Sequence, residues 1–175
     1  MSSGQKPEVL STWARDLSAV LLGGIAAGTV DVCVACLIYG ASPPSVLRAI
    51  AGGVLGKASS HGGVASAALG LGLQWFISIG AAAVYVVVGG RFSFLLRRPL
   101  LFGPVFGAGV FMFMRAVVVP LSKSTVTLPS MPLLAEDFAA NMLFGVIIAI
   151  IASRMGRREV PSVAHSSVGA TSGRA

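Results

Sequence analysis

Four long apolar stretches, almost free of charge, constrain this chain more than any other feature. They run Leu17–Gly40, Leu69–Gly90, Pro99–Leu121 and Leu133–Ser153. A helix needs roughly 20 apolar residues to cross the hydrocarbon core of a bilayer, and each stretch meets that length. Inside lipid every backbone N–H and C=O must be satisfied within the segment, so such stretches become helices. The expectation is an all-α membrane protein with four transmembrane helices. The chain is 55% hydrophobic and 11% charged, against about 25% charged in soluble domains. The deficit falls inside the four stretches and therefore reports lipid exposure.

The intervening segments are short. Pro43 and Pro44 stop the first helix. Residues 45–58 hold an apolar run too short to span, with Leu47, Ile50, Val54 and Leu55 at helical spacing between Arg48 and Lys57. This reads as a short interfacial or re-entrant helix after the first span. Gly62 and Gly63 break it before the second span. Pro99 suits the first position of the third helix, and Pro120 ends it. Residues 1–16 read as a polar cytoplasmic lead and 154–175 as a disordered basic tail. The first stretch is too long for the apolar core of a signal peptide and reads as a retained span.

The net charge of +7 sits at the ends of the stretches, without a basic stripe or interleaved aromatics, so no nucleic-acid partner is expected. Lys6, Arg15, Arg91, Arg97, Arg98, Arg154, Arg157 and Arg158 fall on one side of the membrane; Arg48, Lys57 and Lys123 fall on the other. Positive residues collect in the cytoplasm. Both termini are therefore expected there, in a multi-pass protein of a bacterial inner membrane.

Two charges interrupt the spans, Asp31 and Arg115. At about 1.5 Å per residue, Asp31 lies about 13 Å, Gln74 roughly 7 Å, Arg115 about 8 Å and Asn141 roughly 10 Å from the outer ends of their helices. Glu136 and Asp137 sit just above, at the mouth of the fourth span. Gly24, Gly28, Asp31 and Ala35 form a small or polar stripe, as do Gly70, Gln74, Ser78 and Ala82, and Asp137, Asn141, Gly145, Ala149 and Ser153. Gly103 and Gly107 do the same in the third span, with Ala108, Phe111 and Arg115 on an adjacent strip. Small residues let helices approach closely in lipid, so these stripes should face the bundle interior. A charge near mid-membrane costs about 2.5–3.5 kcal/mol on insertion scales. An Asp31–Arg115 pair, supported by Gln74 or Asn141, would lower that cost. Such a pair acts either as a clamp on helix register, the first reading, or as a polar vestibule for an ion, proton or small solute.

Other motifs carry less. Cys33 and Cys36 lie mid-helix, on the far side from Asp31, and read as small apolar fillers. His61 and His165 have no ligand partners at metal spacing. Ser59 and Ser60 precede His61 without an acid to orient it. No catalytic constellation, metal or cofactor is expected.

The strings AGTVDVCVACLIYG, SVLRAIAGGVLGKAS, ASAALGLGLQWFI, RPLLFGPVFGAGVFMFMRAVVVPLS and NMLFGVIIAI occur in this order between residues 18 and 153. Together they resemble a family of small bacterial inner-membrane proteins of the YagU type. The sharpest marks are Gly28-Thr29-x-Asp31, the run Ile50 to Gly56, and Val118 to Ser122. The resemblance implies a polytopic helical inner-membrane protein and brings no established activity with it. Relatives often carry histidine where this chain has Gln74 and Asn141. Those replacements keep hydrogen bonding and remove titration near neutral pH.

Two readings of function follow. One is a structural or interaction subunit with a buried Asp–Arg cluster, linked to envelope stress. The other is a carrier or channel for a small solute, ion or proton, acting as an oligomer. The partners expected are membrane lipid and a second copy or another membrane protein.

Overall fold

The computed structural model describes residues 6–123 and 130–156, with side chains over 13–123 and 130–155. The expected tail from residue 157 onward, residues 1–5 of the lead and 124–129 lie outside it. Among the described residues all regular structure is helical. Four helices are long and apolar enough to cross a membrane, and the chain is a multi-pass membrane protein.

Helix α1 (Lys6–Tyr39) includes most of the expected polar lead. It ends at Gly40, whose φ of +58° is a left-handed conformation that glycine adopts without a Cβ penalty. Ser42 is extended, and Pro43 and Pro44 then open α2 (Pro43–Leu55) at its first positions, where a missing N–H costs nothing. A 3₁₀ turn (Gly56–Ser60) follows. Helix α3 (Gly63–Arg91) starts before the apolar stretch does, because helix geometry continues through Val64 to Ala68 once Gly63 has turned the chain. A single-turn helix, α4 (Ser93–Arg97), leads into α5 (Pro99–Leu121). The last helix is α6 (Met131–Gly156).

The four long helices form an arc in the order α5, α6, α1, α3. Glycine sets the spacing. A Cβ on Gly103 would lie 2.7 Å from the Cα of Val146, and one on Gly107 would overlap the carbonyl of Asn141. Gly145 faces Gly103 and Gly107 in return. Between α1 and α3, a Cβ on Gly24 would meet Ile79 backbone at 2.5 Å, and Gly28 abuts the Ser78 hydroxyl. The stripe Gly70, Gln74, Ser78, Ala82 is buried along its whole length.

From mid-bundle toward the end where α1 begins and α6 finishes, here the terminal end, the core is closed. Ala27, Ala82, Tyr85, Phe144, Ile148, Ala149 and Ala152 form one buried cluster. Tyr85 stacks edge-on against Phe106 at 5.0 Å and donates its hydroxyl to Leu95 O at 3.2 Å. The opposite, distal end is capped by α2. It packs against α3 at Gly70, where no Cβ fits beneath the Leu47 carbonyl. The Lys123 N–H donates to Gly53 O at 2.8 Å, joining α2 to the end of α5.

Candidate functional site

Asp31 and Arg115 each take a partner on the adjacent helix. The tight α1–α3 contact at Gly28 and Ser78 brings the next turn of each helix together. Gln74 there donates Nε2–H to Asp31 Oδ2 at 2.8 Å, and its nitrogen also lies 3.5 Å from Gly28 O. Gln74 is 8% exposed.

The direct Asp31–Arg115 pair expected from depth alone is not formed. Arg115 Nη2 lies 3.5 Å from Asp137 Oδ2 instead. The cause is the helix order. The glycines of α5 seat it on α6, which carries Asp137, while α1 approaches from the other side of α6. Arg115 also lies over the Phe111 ring, 5.6 Å from its centroid, a cation–π distance. Phe111 in turn meets Phe138 of α6 edge-on at 5.3 Å.

Tyr39 completes this second group. Its hydroxyl donates to Asp137 Oδ2 at 2.6 Å, so α1 and α5 share one carboxylate on α6. Tyr39 was not among the residues expected from sequence, although it continues the spacing of Asp31 and Ala35 by one more turn. Asn141 donates to the Asp137 backbone carbonyl at 3.0 Å and so supports the helix beneath the acid. Glu136 is exposed and stands outside the group.

Arg115 sits in a π-helical turn, Met114–Val118, where the Val119 N–H reaches back five residues to Met114 O. Pro120 lies just beyond it. Proline supplies no N–H and its ring crowds the carbonyl four residues before, and the wider π turn relieves that crowding.

The two groups face one hollow of about 650 Å³. Asp31, Gln74, Arg115, Asp137 and Tyr39 line it, together with Ser45, Val46, Ala49 and Ile50 of α2. Arg48 is tied to Ser45 by a 3.3 Å bond and is not part of the lining. A carboxylate has about four acceptor sites, so Gln74 leaves Asp31 with capacity for another donor. Two carboxylates and one guanidinium in the lining of an otherwise largely apolar hollow suit a small ligand carrying positive charge.

Among the described residues no group of three His, Cys, Asp or Glu side chains could hold a metal ion. Cys33 is exposed and Cys36 partly so, both as free thiols. His61 Nδ1 lies 3.1 Å from Ser60 Oγ, a contact within one turn. Comparison with family models, curated proteins and solved structures gives no match.

Proposed function

We propose that the protein binds a small, positively charged polar solute in a vestibule open to the outer face of a bacterial inner membrane. One observation carries this reading: Asp31, Arg115 and Asp137 line a hollow of about 650 Å³ rather than packing into a solid core. A clamp that only fixed helix register would have no reason to keep that volume. The inner-membrane placement rests on the likeness to YagU-type proteins and on the basic residues, which favour cytoplasmic termini. In this orientation the terminal end is the cytoplasmic one, and α2 lies in the outer interface as one wall of the vestibule. The closed core beneath the vestibule favours binding over conduction. The interaction-subunit reading is therefore kept in a narrower form, that of a membrane subunit which senses or holds a solute.

The test uses a chain with Cys33 and Cys36 replaced by Ala and a single new thiol, Ala35→Cys, in the vestibule lining. A charged, membrane-impermeant thiol reagent added to the outer side should label it. Choline should protect the thiol, and Asp31→Asn should remove the protection. An unlabelled thiol would establish a packed clamp, and labelling only from the cytoplasmic side would overturn the orientation.

A further inference from the structure

A second cavity lies beside the vestibule. It is a groove of about 840 Å³ between α3 and α5, the two ends of the helical arc. Phe76, Gly80 and Val84 line one wall; Val105, Gly109 and Phe113 line the other. Its lining is almost wholly apolar. Phe76 is 77% and Phe113 58% exposed, so the groove opens sideways, toward lipid in a membrane. On its α5 wall it extends from Val105 to Val118, about 20 Å at helical rise.

The two cavities flank one seam, that between α3 and α5. At the π turn of α5, Met114 and Val118 line the groove, while Arg115 of the same turn and Val119 just after it line the vestibule. On α3, Ile77 lines the groove and Gln74, one turn away, lines the vestibule. A long apolar groove therefore runs on one side of the seam between α3 and α5 and a charged chamber on the other, and these two helices, at opposite ends of the arc, touch each other little. A polar solute needs only the chamber. A second copy's apolar helix would need only the groove. The two together match one kind of molecule.

We propose that the ligand is an amphiphile, a lipid whose head carries an ammonium group. Its head enters the vestibule, where Asp31 and Asp137 outnumber the Arg115 guanidinium, and its chain lies along the groove between Gly80 and Gly109. A Cβ at either glycine would meet nothing within 4 Å, so the groove floor is open where the chain would pass. This inference rests on the vestibule reading and extends it to a ligand class.

The experiment is native mass spectrometry of the full chain released from nanodiscs of equimolar phosphatidylethanolamine and phosphatidylglycerol. The wild type should retain the ethanolamine lipid over the glycerol lipid by about tenfold, the discrimination expected of one charge-assisted hydrogen bond. Asp31→Asn should abolish that preference. Gly109→Leu should remove bound lipid of both kinds, and Gly80→Leu on the opposite wall serves as an independent block should the first variant fold poorly. Equal retention of the two lipids by the wild type would show that the head is not read. Unchanged retention in both Leu variants would show that the groove holds no chain. Loss of a dimer in those variants, with lipid retention unchanged, would assign the groove to a second copy and overturn the proposal. If choline still protects the vestibule thiol while the lipid tests fail, only the extension to an amphiphile falls.

Discussion

The terminal half and the distal half of the bundle solve the same problem with different side chains. Toward the terminal end, Ala27, Ala82, Ala149 and Ala152 let helices close around Tyr85, Phe144 and Ile148, and the core is solid. Toward the distal end, the stripes carry Asp31, Gln74, Arg115 and Asp137 at the corresponding places, and a hollow remains. The difference teaches what a charged side chain does to helix packing in lipid. A buried charge must keep partners with specific geometry, so the helices stand where hydrogen bonds form and not where van der Waals contact is greatest. The glycine contacts at Gly28 and Gly107 mark the boundary, tight enough to fix the register from which the polar groups project.

The largest effect should come from forcing the solid part apart. Gly107→Leu places side-chain atoms inside the Asn141 backbone, and the variant should fail to give a monodisperse folded peak in mild detergent. A folded, wild-type-like peak would mean that the α5–α6 contact is not what holds the terminal half closed. Next in size is Tyr85→Ala. Tyr85 is 1% exposed, and its loss should destabilise the bundle by roughly 3–5 kcal/mol, as large aromatic truncations do, read as a lower unfolding midpoint in detergent. An equal cost for Tyr39→Ala at the distal end would erase the contrast between the two halves. The smallest effect is in the polar half. Double-mutant cycles should give a coupling of about 1 kcal/mol between Arg115 and Asp137, moderated because both side chains remain partly accessible. The coupling between Arg115 and Asp31 should be smaller. A reversed order would restore the direct Asp31–Arg115 pair and redraw the vestibule.

The spans were legible because hydropathy is a local property, and Pro99 and Pro120 stand at the two ends of α5. The interior stripes were legible for the same reason, since glycine and alanine spacing reports a face directly. Partner choice was not. Whether Arg115 meets Asp31 or Asp137 depends on which helices are neighbours in the arc, and depth along each helix says nothing about that order. Tyr39 was missed because an aromatic near a span end usually reads as an interfacial anchor. Its hydroxyl acquires a role only once α6 presents Asp137 beside it. The π turn was equally hidden, although Pro120 was in view, because a proline near a helix end signals termination as readily as a widened turn.

The hollow at the distal end also has an electrical consequence. In the orientation proposed above, water drawn in by Asp31, Arg115 and Asp137 would carry the outer potential inward to the level of Asp31. The membrane voltage would then fall mainly across the terminal half, where moving one elementary charge is worth about 2.3 kcal/mol per 100 mV. A cation in the vestibule would feel little of that field. Its occupancy should follow the composition of the outer medium and remain nearly indifferent to whether the cell is energised.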